Sequence, residues 1–132
     1  MRTIKFRGKK ISNNEWSYGC YFYNGNEHGI VNNKAFTGSW VEVHPETVGQ
    51  FTGLQCKNGD VYEGDIIKDK GKIMKVIWKK EACQFWLIWK DFKGVNRFKP
   101  LSATYGDDTD YLSNDSLEII GNIHENKGGE NA

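Results

Sequence analysis

The stretch TGLQCKNGDVYEGDIIK, Thr52 to Lys68, sets two tight-turn signals and three carboxylates, Asp60, Glu63 and Asp65, within seventeen residues. Asn58-Gly59 is the pair favoured in a type I′ hairpin turn, which requires positive φ at both central residues. Gly64 is free to take positive φ at a second corner, after which Ile66-Ile67 resumes a strand. Asp65, beside that corner, can accept backbone N–H groups across it. The stretch therefore reads either as an active-site loop or as a corner in a β-fold. Acids beside turns are common on any surface, so the corner is the favoured reading, with Asp65 as its cap.

Working outward, helical periodicity is almost absent, while glycine and Asn-Gly turns recur about every ten residues. The pattern predicts an all-β chain with little helix. Strands are expected at 4–7, 16–23, 29–31, 40–43, 48–51, 66–68, 73–78, 84–90 and 117–124. Ser12-Asn13-Asn14, Asn24-Gly25-Asn26 and Lys70-Gly71 supply further turns. Phe85-Trp86-Leu87-Ile88-Trp89 is apolar at both alternating sets of positions, which predicts a central strand covered on both faces. Its expected antiparallel partner is Ile73 to Trp78, joined through Lys79-Lys80-Glu81-Ala82. The polar stretch from Leu101 to Asp115 reads as a loop in which Ala103-Thr104-Tyr105 and Tyr111-Leu112 reach the core.

At 132 residues, with 38% hydrophobic, 27% charged and 14% aromatic residues and two prolines, the composition is that of a folded globular chain. The N-terminal MRTIKFRGKK has no apolar core of a signal peptide, and no run is long enough to span a bilayer, which predicts a cytoplasmic protein with no membrane partner. Cys20, Cys56 and Cys83 form no metal or disulfide pattern and are expected to be half-buried hydrophobes. Net charge is +1, but residues 66–99 hold ten basic and three acidic side chains, and residues 100–132 hold one and seven. That asymmetry suits either a basic ligand-binding strip or two regions that pair with each other or with a neighbouring subunit.

Candidate sites are few. DDTDYLSNDSLE, Asp107 to Glu118, has acids at three EF-hand positions, but Leu112 stands where the loop needs glycine, so calcium is not expected. There is no nucleophile elbow, phosphate-binding loop or dinucleotide fingerprint, so neither a catalytic set nor a cofactor is expected. A hydrolase would have to be built from Asp60, Glu63 and Asp65. Lysines interleaved with Trp78, Trp86, Trp89 and Phe92 suit a basic β-surface for nucleic acid, carried by Lys68, Lys75, Lys79, Lys80 and Arg97. The competing reading is that these lysines are the solvated faces of half-exposed strands.

QFTGLQCKNGDVYEGDIIK resembles the signature of the YopX family, in which Asn58, Gly59, Tyr62, Glu63, Gly64 and Asp65 are the matching positions. IKFRG (Ile4 to Gly8), EWSYG (Glu15 to Gly19), VHPETVGQFTGL and LEIIGNIHEN (Leu117 to Asn126) are similar to the family's other blocks. Cys56 departs from the Asp more usual there. The resemblance implies a product of phages or prophages of Gram-positive bacteria, mostly β, with an SH3-like barrel near the signature, acting in the bacterial cytoplasm. It implies one domain over 1–126, made of an N-terminal β module (1–50) and a barrel portion (51–126), then a flexible tail (127–132). It brings no catalytic residue. The expected role is a non-enzymatic accessory protein that binds a host or phage protein or forms a homo-oligomer, with nucleic-acid binding as the alternative.

Overall fold

The computed structural model describes residues 4–32, 39–69, 71–101 and 117–125. Eleven strands are β1 (Phe6–Lys9), β2 (Trp16–Tyr23), β3 (His28–Val31), β4 (Trp40–Glu42), β5 (Gly49–Cys56), β6 (Gly59–Tyr62), β7 (Asp65–Asp69), β8 (Lys72–Lys79), β9 (Gln84–Lys90), β10 (Asn96–Pro100) and β11 (Glu118–Asn122). A short 3-10 turn, Pro45–Thr47, lies between β4 and β5. The strands form two antiparallel sheets, ordered β4-β3-β2-β1-β5-β6 and β10-β9-β8-β7-β11. The chain changes sheets at Glu63-Gly64. Among the described residues no strand pairing closes either sheet into a barrel, and no helix is long and apolar enough to cross a membrane.

The second sheet follows from alternation. In β8, Met74 and Val76 point inward, pairing with Ile67 of β7 and Leu87 of β9. Cys56 and Val61, from the β5–β6 hairpin, pack over them, and Leu101 and Leu117 complete the cluster. Val61, Ile67, Leu87 and Leu117 are fully buried, each contributing about 2 kcal/mol of transfer free energy.

The β8–β9 hairpin forms as the sequence predicts, Trp78 opposite Phe85 and Val76 opposite Leu87. Other expectations need correcting. β1 starts at Phe6 rather than Ile4, and β5 runs on to Cys56 through a bulge between Phe51 and Gln55. Gly59–Tyr62 and Asn96–Pro100 are strands that the pattern does not announce: the first is squeezed between two turn signals, the second carries proline and a basic run. The Lys57-Asn58 turn is not type I′, because positive φ falls on Gly59 (146°) and not on Asn58. In β9 only Leu87 is buried, while Trp86 and Ile88, on the other face, are half-exposed. Cys56 is buried, but Cys20 and Cys83 are exposed. Lys70, the Ala103-Thr104-Tyr105 and Tyr111-Leu112 anchors, the acidic stretch as far as Asp115 and the tail lie outside the described residues.

Gly19 is fixed by a close approach. At φ 154°, a Cβ there would sit 1.9 Å from the Val31 carbonyl oxygen, where β2 pairs with β3. Gly19→Ala should therefore cost about 2 kcal/mol or more, seen as a lower urea midpoint with an unchanged slope. An unaltered midpoint would show that the strands do not approach this closely.

Candidate functional site

The opening corner is built as a cap. Gly64 takes φ 92°, its amide donates to the Val76 carbonyl at 2.9 Å, and its carbonyl accepts from Ile123 at 2.9 Å. Asp65, 1% exposed, accepts the Tyr62 amide on one oxygen at 2.8 Å and Arg7 Nη2 on the other at 2.7 Å. Arg7, itself buried, comes from β1, so this ion pair crosses from one sheet to the other. Its guanidinium carbon lies 4.3 Å from the centroid of Trp16 and 4.7 Å from that of Tyr62. Those rings partly compensate Arg7 Nε, which has no hydrogen-bond acceptor. Burial pushes the Asp65 carboxyl above its ordinary value, offset in part by the Arg7 charge and the Tyr62 amide.

Asp60 belongs to the same neighbourhood. It accepts hydrogen bonds from Lys5 and Gln55, both at 2.7 Å. Partial burial would raise its carboxyl, but these bonds and the Lys5 charge outweigh that and hold it below 3.8. Lys5, Arg7, Tyr18, Asp60, Tyr62 and Asp65 line an open cavity of about 440 Å3. Burial pushes the Tyr62 phenol above its usual range, and the nearby Asp60 charge adds to this. Glu63 turns away into a different cavity, with Glu46 and His124, where burial raises its carboxyl against a backbone hydrogen bond from Gln50. Of the three acids, two share a cleft, each held by a cation. Asn58 lines the same cavity but bonds to β11. Its side chain donates to the Ile119 carbonyl at 2.8 Å and accepts the Ile119 amide at 2.9 Å, tying the β5–β6 turn to β11.

The lysines sort by strand parity. Opposite Met74, Val76 and Leu87, the outer face of the second sheet carries two cross-strand ladders, Ile66-Lys75-Ile88-Phe98 and Ile77-Trp86-Pro100. The same parity adds Lys68, Ile73, Lys79 and Lys90. Lys79 lies 5.6 Å and 5.5 Å from the Trp86 and Phe98 ring centroids, which places all three side chains on this face. Ile66, Ile73, Lys75, Ile88, Lys90 and Asn96 line a shallow groove of about 340 Å3 there. Among the described strand residues the one acid on this face is Glu118 of β11, opposite Lys68. Lys80 sits in the β8–β9 turn, and Arg97 points to the opposite side, paired with Asp91 at 3.0 Å. The structure thus groups Lys68, Lys75 and Lys79, sets Lys80 and Arg97 apart, and adds Lys90 and Phe98. Phe98 is legible only once β10 is known to pair with β9. Among the described residues no three His, Cys, Asp or Glu side chains are placed to hold a metal.

The two ion pairs should behave differently. Asp65→Asn leaves the Arg7 charge buried without a counter-charge and should cost about 3 kcal/mol. Asp60→Asn, in a pair about 30% exposed, should cost under about 1 kcal/mol. Because the folded Asp60 carboxyl is depressed, its contribution is present above pH 3.8 and is lost as pH falls below it. Asp60→Asn should therefore flatten that limb of a denaturation-versus-pH curve. Equal costs for the two variants would contradict the difference in burial.

No curated protein matches the sequence. A family model described as YopX protein matches residues 5–128, a span that takes in every strand of both sheets, and the chain therefore belongs to the YopX family.

Proposed function

We propose that the chain is a non-enzymatic binding protein, an accessory of a phage or prophage acting in the bacterial cytoplasm, and that the outer face of its second sheet holds a polyanionic chain. The observation that carries this is the excess of lysine: Lys68, Lys75, Lys79 and Lys90 share one sheet face, on which Glu118, opposite Lys68, is the one acid among the described strand residues. Like charges on neighbouring strands repel, and an extended anion relieves that repulsion at every position at once. The cleft carboxylates support the non-enzymatic half, because Asp60 and Asp65 are each engaged by a cation at 2.7 Å. The same reading takes the strands from β5 onward as the SH3-like portion, supported by the packing of Cys56 and Val61 over Ile67, Val76 and Leu87.

A protein partner or a second copy is favoured by one separate observation. None of the five tryptophans is fully buried, and Trp40 and Trp78 are exposed, more aromatic surface than a lone small domain usually presents. Light scattering on the purified chain tests self-association, and a strict monomer at high micromolar concentration removes it.

Polyanion binding is tested by fluorescence anisotropy with labelled DNA and heparin. Four lysine–phosphate contacts on a single strand predict a log–log salt slope near −3, or about fifty-fold weaker binding between 50 and 200 mM salt. Replacing Lys75 and Lys79 with alanine should reduce the slope by about 1.4, while Arg97→Ala, on the opposite side, should change nothing. Undetectable binding of every polyanion at low salt would remove the proposal.

A further inference from the structure

We infer that the polyanion is a single-stranded nucleic acid whose bases stack on Trp86 and Phe98. The inference rests on the polyanion reading above and names its ligand. Three observations narrow the choice.

The lysines lie beside an apolar centre on β9 and the edge strand β10. Trp86 and Phe98 lie with ring centroids 5.3 Å apart, tilted by 36°. Phe98 is 56% exposed although it is the largest side chain of β10, and Ile88 and Pro100 border the pair across the strands. A sulfated or phosphorylated chain with no apolar part would satisfy the lysines and leave this centre wet. A base offers a π-face of the size and flatness that the two rings present, and every base has one.

A duplex fits poorly. Its bases are stacked inside and can be reached only through grooves that admit a helix or a two-stranded ribbon. This face is five strands wide, about 19 Å at ordinary strand spacing, so it cannot enter a groove face-on and bring Trp86 on β9 and Phe98 on the edge strand β10 to base edges. Single strands splay their bases outward and remove that obstacle.

Finally, the cations stand where a backbone would run. Lys75 and Lys79 are four residues apart on β8, about 13 Å, so phosphates can track along the strand while bases lie across β9 and β10. Lys79, within 6 Å of both ring centroids, meets phosphate and base together. An acidic peptide could use the lysines but has few flat groups to set on the rings.

Anisotropy titrations on the intact chain compare labelled oligothymidylate, an abasic strand of the same length, a duplex, heparin and polyglutamate, with the wild type, Phe98→Ala and Phe98→Tyr. Phe98 is exposed enough for both variants to fold. Oligothymidylate should bind about tenfold more tightly than the abasic strand and the duplex. Phe98→Ala should lose about that factor on oligothymidylate, with heparin affinity and the salt slope unchanged, and Phe98→Tyr should restore it. Equal affinity for the abasic strand, or an equal loss on heparin, overturns stacking while leaving polyanion binding in place. Polyglutamate binding more tightly than oligothymidylate overturns the inference in favour of an acidic peptide. Failure of all five probes removes the polyanion reading itself.

Discussion

The contact between Arg7 and Asp65 is the constraint on which the relation of the two sheets depends. Both charges are withdrawn from water, which costs several kcal/mol for each ion. Their mutual attraction, with one hydrogen bond from the Tyr62 amide and two aromatic faces around the guanidinium, offsets that cost without a large surplus. The pair therefore acts mainly by exclusion. Any slip of β1 against β7 would separate two buried charges, whereas a slip between apolar faces would be cheap by comparison. Lys9, donating to the His124 carbonyl at 3.1 Å, and Asn58, bonded twice to Ile119, repeat the device at two further points between the sheets. The sheets are aligned by polar side chains that tolerate few alternatives, and the core beneath the second sheet supplies the bulk of the burial.

What was legible in the sequence followed from local rules. Alternation in KIMKVIWK places β8, the glycine at 64 places the corner, and an acid after a turn reads as a cap, which is what Asp65 is. What was not legible depends on a partner strand or a distant residue. NRFKP has the composition of a loop and becomes β10 only because β9 offers it a ladder. Asp60-Val61-Tyr62 is too short between turns to show a period of two. The Arg7–Asp65 contact spans 58 positions, and no spacing rule reaches across that distance. Cys20 and Cys83 departed from the usual burial of free cysteine for local reasons. Cys20 alternates with the inward residues of β2, and Cys83 holds φ 52° in a tight turn.

The misreading of β9 is the instructive one. A strand apolar on both sets of alternating positions normally sits between two layers, and FWLIW has that pattern. Only the Leu87 side meets a layer among the described residues. Trp86 and Ile88 face outward in the company of Phe98, Ile66 and Ile77, and the lysines among them keep such a surface soluble. Pattern rules fail in this way where a sequence serves an occupant that is not part of the fold. Solubility alone would be met at lower cost by threonine, serine or glutamate at those positions. Large rings set among mostly positive charges have no advantage for a face that meets only water.

The family signature and the proposed binding surface therefore divide along the chain. In the stretch from Thr52 to Lys68, every acid already has a task inside the protein: Asp60 holds Lys5, Asp65 holds Arg7 and the Tyr62 amide, and Glu63 closes the corner against Gln50. Such groups specify the fold, and a ligand that engaged them would have to break an ion pair first. The β8–β9 hairpin carries no such internal obligation on its outer side. Its inner residues, Met74, Val76 and Leu87, anchor it in the core, so outer residues can change without unseating it. That separation leaves one hairpin rigid on one face and free to vary on the other, the condition that the proposed binding sheet requires.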